Sequence, residues 1–218
     1  MKRKTVFEMI EKGESLTVEF KQRFSSHEKI AKELIAFANT RGGFLFIGID
    51  DDKSVYGIDG EKADAGLVIE TAEKYCVPPV KYELHDFEID KKEILIVEVF
   101  ESDVKPHRMQ DYLAELDLNT AAVYVRVNDK SVPAGKEMIK ILQAQTRGAG
   151  LTNYVISKDE KIVFDYLDKN ETITVQELSK YGNISYRRAS RTLIKLVRAN
   201  LVLIHQKENG ESFFTYAG

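Results

Sequence analysis

The sequence predicts an α+β fold: a mixed or antiparallel sheet domain with flanking helices, followed by a small helical domain that ends in a strand pair. Two patterns carry that prediction. Through residue 146, strand-period segments come in neighbouring pairs with helix-period segments between them, the order of an α+β sheet and not of a doubly wound one. After residue 157 the order changes to three helical segments and then two short strands around an Asn-Gly turn.

The first strand lies in GESLTVEFKQ, where Leu16, Val18 and Phe20 alternate with Thr17, Glu19 and Lys21. Ser25 and Glu28 stand at capping-box spacing. The helix they open carries Ile30, Ala31, Leu34, Ile35, Phe37 and Ala38 on one face, and Gly42 and Gly43 end it. FLFIGI is apolar at nearly every position, as a strand covered on both faces must be, and Asp50, Asp51, Asp52 and Lys53 turn it into VYGI. A second amphipathic helix over about 61–75 stops before Pro78 and Pro79. VKYELHDFEI and EILIVEVF form a hairpin through Asp90 and Lys91. Beyond Pro106, AAVYVRVN is a strand, and a helix over about 133–145 has Pro133 in its first turn.

The glycine-containing break in RGAGLTNYVIS sets the domain boundary. The first domain is residues 1–146, the linker 147–157 and the second domain 158–218. In the latter, helices are predicted over 158–169, 174–181 and 185–199, with Thr174 and Glu177 at capping-box spacing. LVLIHQKENGESFFTY supplies the terminal hairpin, and the whole is the order of a winged helix-turn-helix.

Charge is more informative by position than by sum. The net charge of -3 over 218 residues argues against wholesale adhesion to nucleic acid. Between residues 184 and 200, however, Arg187, Arg188, Arg191, Lys195 and Arg198 occur without an acid among them. If this is a recognition helix, Ala189, Leu193, Leu196 and Val197 pack inward, while Ser185, Tyr186, Arg187, Arg188, Ser190, Arg191 and Lys195 face outward. Arginine pairs bidentately with guanine, and lysine or serine holds phosphate. Lys207, on the hairpin, is a further candidate contact. The competing reading is a solvated basic helix in a dimerisation module. The single Cys76 permits no intramolecular disulfide and no Cys-rich zinc site, which fits a reducing compartment. With no signal-peptide run and no stretch near the ~20 apolar residues of a membrane span, the expected location is the cytoplasm, with no membrane partner.

ESLTVEFK, LIAFANTRGGFLFIGIDDDKSVYGI, KPHR and VYVRVNDKSVPA, in that order and over about residues 10–142, resemble the Schlafen-type Alba-like domain. That family is described as DNA-binding and is often fused to a C-terminal winged helix in bacterial transcriptional regulators. The resemblance implies an α+β domain, nucleic-acid binding and self-association, with a dimer favoured. Some Schlafen relatives cleave RNA with three carboxylates, and that pattern maps here onto Glu14, Glu19 and Asp51 with Lys21 nearby. These residues would then hold Mg or Mn. One departure is DYLAELDLNTA, which stands where relatives have a short polar stretch.

Strand geometry sets conditions on that site. Glu19 and Lys21 share a strand face, and Asp50 or Asp51 joins them only if FLFIGI pairs beside the first strand. Glu14 has the opposite parity and needs a turn or bulge to converge. An ordinary Glu-Lys pair beside an acidic turn explains the same residues. The Asn39 to Gly43 run, with Arg41, lacks a following helix N-terminus and is not a P-loop. Arg41, His107, Arg108 and Arg126 are the remaining candidates for phosphate contact. The resulting expectation is a DNA-binding transcriptional regulator that needs no cofactor to bind, with RNA as an alternative partner. A metal-dependent endoribonuclease and a protein-interaction module are the alternatives.

Overall fold

Residues 1–58, 60–110, 117, 120–146 and 156–217 are described by the computed structural model, which begins with a helix that the sequence reading leaves out. In α1 (Arg3–Lys12), Val6 and Ile10 stand one turn apart and are both buried, and Gly13 ends the helix at φ 86°. Then come β1 (Val18–Lys21), α2 (His27–Asn39), β2 (Gly43–Ile47) and α3 (Glu61–Glu70), the last running into one π-helical turn, Thr71–Tyr75. Next are β3 (Cys76–Val77), β4 (Tyr82–Ile89), β5 (Lys92–Val99), β6 (Arg108–Met109), β7 (Tyr124–Val127) and β8 (Lys130–Pro133).

The main sheet has the order β1-β2-β5-β4, with β1 parallel to β2 and the other neighbours antiparallel, so it is mixed. As its unbroken apolar run demands, β2 lies inside the sheet, with Leu45, Phe46 and Ile47 fully buried. One face carries Val18, Phe20, Phe46, Ile94 and Ile96 and is covered by Val6 and Ile10 of α1. The other carries Leu45, Ile47, Leu95 and Val97 and is covered by Ile30, Leu34 and Phe37 of α2 with Val68 of α3. Each such aliphatic or aromatic side chain contributes about 1.5–3 kcal/mol by burial. The Asp90-Lys91 turn is the expected tight one, both residues taking left-handed φ values of 50° and 65°.

Three local expectations change. Ser26, not Ser25, caps α2, its hydroxyl accepting the Lys29 N–H at 3.3 Å. Pro133 ends β8, a strand the sequence reading missed, and opens no helix. The two glycines after α2 answer to packing: a Cβ on Gly42, whose φ is 71°, would meet the Val99 carbonyl at 2.6 Å, and one on Gly43 would lie 2.5 Å from the Phe37 ring.

The chain divides into two compact units, Met1–Pro133 and Ala134–Gly218. The second contains α4 (Lys136–Thr146), α5 (Lys158–Leu167), α6 (Val175–Tyr181), α7 (Tyr186–Arg198), β9 (Val202–Gln206) and β10 (Ser212–Tyr216). The sequence assigns α4 to the first domain, but the helix packs on α7, where Ser190 donates to Glu137 at 3.0 Å with both residues buried. Most of the expected linker, residues 147–155, lies outside the described residues, as do residues 111–116, 118 and 119 of the departing segment. The core of the second unit is Val163, Leu167, Leu178, Ala189, Leu193, Leu196, Val202 and Phe214. Thr174 and Glu177 close the predicted capping box, and Ile173 bridges Phe214 of the hairpin. Among the described residues no helix is long and apolar enough to cross a membrane.

Candidate nucleic-acid interface

The carboxylates assemble around a turn before β1. Ser15 N–H donates to the Val18 carbonyl at 2.9 Å, folding the chain back so that Glu14 Oε1 accepts the Phe20 N–H at 3.0 Å. That turn overcomes the parity problem and satisfies a donor on the edge strand. Because β1 pairs with β2, the Asp50-to-Lys53 turn follows nearby, held by Gln22 Nε2 donating to Asp50 Oδ2 at 2.8 Å. Burial raises the Glu14 pKa above its ordinary value; Glu19 and Asp51 add to the rise, while the Phe20 N–H and Lys21 oppose it. Glu14, Glu19, Lys21 and Asp51 therefore share one electrostatic neighbourhood.

They do not share a metal-sized one. Among the described residues, Glu14, Glu19 and Asp51 do not bring three ligand atoms within 4.8 Å of one another. Both Glu19 oxygens already face cations: Lys21 donates to Oε1, and Arg126 donates to Oε2 at 2.8 Å.

Glu14→Gln is expected to raise the melting temperature at pH 7.5, since glutamine keeps an oxygen for the Phe20 N–H without a charge. A carboxyl whose folded pKa is raised favours the folded state below its ordinary range and loses that contribution as pH rises through the folded value. The gain from the substitution should therefore vanish near pH 4. Thermal melts at both values check this, and a lower melting temperature at pH 7.5 contradicts it.

The sequence places Arg126 in a phosphate-contacting patch; the structure buries its side chain completely, at 0% exposure. One terminal nitrogen donates to Glu19 at 2.8 Å, Glu33 at 3.2 Å and Ser131 Oγ at 3.1 Å. The other donates to the carbonyls of Ser15 at 2.6 Å and Val18 at 3.4 Å. The guanidinium also sits 4.8 Å from the centre of the Phe37 ring. Glu33 is the residue sequence reasoning missed. Its signal was an acid on the apolar face of α2, between Ile30 and Phe37, where a buried cation must meet it.

His107 and Arg108 are also interior. Asn39 Oδ1 accepts the His107 N–H at 2.7 Å, and Asn39 Nδ2 donates to the carbonyls of His107 and Tyr124, both at 3.0 Å. Arg108 donates to the Ala121 carbonyl at 3.2 Å. These residues latch the end of α2 to β6 and β7 and are not a phosphate patch. Arg41 alone of that set is exposed.

Burial holds the His107 imidazole below its ordinary pKa; the Pro78 carbonyl, 2.7 Å from Nδ1, opposes this, and Lys105 reinforces it. Since the folded value is depressed, the contribution is present above about pH 6.5 and is lost as pH falls below it. Urea midpoints at pH 7.5 and 5.5 should show a larger loss in the wild type than in His107→Gln. Equal losses contradict the assignment.

On α7, Arg187, Arg191 and Lys195 are exposed and stand four residues apart, so they form one stripe along the helix. None makes an ion pair with a described residue. Tyr186 beside them is 54% exposed, and Ser185 caps the helix by accepting the Arg188 N–H at 3.3 Å. Arg188 differs from its neighbours: Asp159 takes it bidentately, at 2.6 and 2.9 Å. Ser190, expected outside, is buried. Lys207 pairs with Glu211 across the hairpin at 2.7 Å.

The family model described as Schlafen, AlbA_2 matches residues 14–135, more than half of the chain. The chain belongs to the Schlafen AlbA_2 family. The Schlafen AlbA_2 domain is associated with nucleic-acid binding or nuclease-like function, and the match ends two residues past the boundary of the first unit. Among solved structures, the chain is similar to the DIP2311 protein of Corynebacterium diphtheriae at 18% identity and TM-score 0.45, covering 65% of this chain and 30% of that one. It is also similar to the N-terminal domain of a Nitrosomonas europaea protein described as related to the ATP-dependent DNA helicase RecG, at 24% identity and TM-score 0.40, covering 54% of this chain and 82% of that one.

Proposed function

We propose that this Schlafen AlbA_2 chain is a DNA-binding transcriptional regulator of the cytoplasm. In this reading the second unit is a winged helix-turn-helix: α7 enters the major groove, and the β9–β10 hairpin with Lys207 is the wing. The first unit serves nucleic-acid binding, with exposed Arg41 as its candidate contact, and self-association as a dimer. The observation that carries the proposal is the unpaired stripe of Arg187, Arg191 and Lys195 beside exposed Tyr186. Its charge is free to displace counterions from phosphate, whereas Arg188 is held by Asp159 and positions the helix. Binding needs no cofactor.

Fluorescence anisotropy with a labelled duplex in EDTA tests this reading. Salt-sensitive binding is expected, and the absence of binding at low salt overturns it in favour of a protein-interaction module. Competition with structured RNA decides whether RNA is a partner.

A second reading is metal-dependent endoribonuclease action by Glu14, Glu19 and Asp51, with Lys21 supporting charge and Mg or Mn bound. It is favoured by the convergence of these residues around the Ser15-to-Val18 turn. As arranged they fit a hard divalent ion poorly, because Arg126 and Lys21 occupy Glu19. Mg- or Mn-dependent RNA cleavage lost in both Glu14→Gln and Asp51→Asn would establish it. No cleavage, or cleavage unchanged in those variants, would dismiss it.

A further inference from the structure

We propose that Glu83, His85 and Glu98 form a binding site for a divalent transition-metal ion of the zinc type on the face of the main sheet that also carries Phe87 and Ile96. On a strand, residues two apart project to the same side, so Glu83 and His85 of β4 stand together. The antiparallel register sets Glu98 of β5 directly opposite Glu83. Three donors from two strands thus converge over one point, and one ligand atom from each lies within 4.8 Å of the others. His85 Nε2 is already 2.8 Å from Glu98 Oε2.

Electrostatics gives a second reason. Like charges directly opposite across a strand pair are unfavourable. No lysine or arginine among the described residues forms an ion pair with either carboxylate, and Glu98 has only His85. A cation between the strands would convert that repulsion into ligation. Donors at about 2.0–2.2 Å from a tetrahedral ion sit roughly 3.3 Å apart, so the exposed Glu83 and the half-buried His85 and Glu98 need move only about 1.5 Å. An imidazole with two carboxylates selects zinc-like ions over Mg or Ca, and a water would complete the shell. The site is separate from Glu14, Glu19 and Asp51 and stands or falls without the DNA-binding reading.

The test is calorimetric titration of the metal-stripped full chain with zinc chloride, repeated with cobalt while visible absorption is recorded. One site per chain is expected, with affinity falling by more than about a hundredfold in His85→Ala and in Glu98→Gln, beyond the roughly 10–100-fold that losing a ligand's hydrogen-bond partner costs. His205→Ala, which lies in the terminal hairpin with its Nε2 2.9 Å from Thr215 Oγ1, should leave it unchanged. Cobalt bands present in the wild type should disappear in His85→Ala, and millimolar Mg should not compete. Apo-state circular dichroism shows that the variants fold. No zinc binding by the wild type, or binding by His85→Ala or Glu98→Gln as tight as the wild type's, overturns the proposal.

Discussion

Arg126→Ala should destabilise the first unit by about 3–5 kcal/mol, the usual cost of removing one partner from a buried ionic cluster. The loss exceeds that of an ordinary salt bridge because of what remains. Glu19 and Glu33 would face each other in the interior without the guanidinium between them, and the Ser15 and Val18 carbonyls would lose their donor. Lys21 would still reach Glu19 and Ser131 would still reach Glu33, but neither spans the gap. Arg126→Lys should restore only part of the loss, since one ammonium cannot reproduce a planar fork serving two carboxylates, a hydroxyl and two carbonyls. Arg126→Met combined with Glu19→Gln and Glu33→Gln should recover more than half of it, because the buried charges leave together. Urea unfolding, with amide exchange read on β1 and β2, measures each case. An Arg126→Ala loss under about 1 kcal/mol would mean that the cluster does not hold the sheet edge to α2 and β7.

Replacing Arg187, Arg191 and Lys195 together by alanine should weaken duplex binding at least about a hundredfold at fixed low salt, at ~1 kcal/mol or more per contact. All three side chains are exposed, so unfolding should not account for the loss; Ala189, Leu193 and Leu196, which hold α7 in its core, are untouched. Arg188→Ala is the informative contrast. Its guanidinium is engaged by Asp159, so its removal should cost affinity much less than any pair drawn from the stripe. If Arg188→Ala matches the triple variant, the stripe is not the contact surface.

How much of this was legible depended on whether a residue's role was local. The β4–β5 hairpin was readable because Asp90-Lys91 lies between two alternating strands, and the α6 capping box because Thr174 and Glu177 are three apart. β8 was missed because KSVP is four residues long and ends in proline, which reads more readily as a helix start. α1 was missed because two buried residues gave too short an apolar face. The larger errors concern cations. Arg126, His107 and Arg108 have polar letters, and nothing nearby in the sequence announces partners as distant as Glu19, Glu33, Asn39 and Pro78. Glu33 on an apolar helix face was the one available clue. On α7 the 3.6-residue period already separated inward from outward positions, and only Ser190 changed sides, because Glu137 of α4 draws it inward.

Whether the α7 stripe carries DNA binding is decided by the slope of log K against log salt concentration for wild type and the triple variant. Each phosphate neutralised contributes about 0.9 to that slope, so the wild-type slope should be steeper by roughly 2.7. Superimposable slopes would contradict that role, since they would place the phosphate contacts elsewhere on the chain.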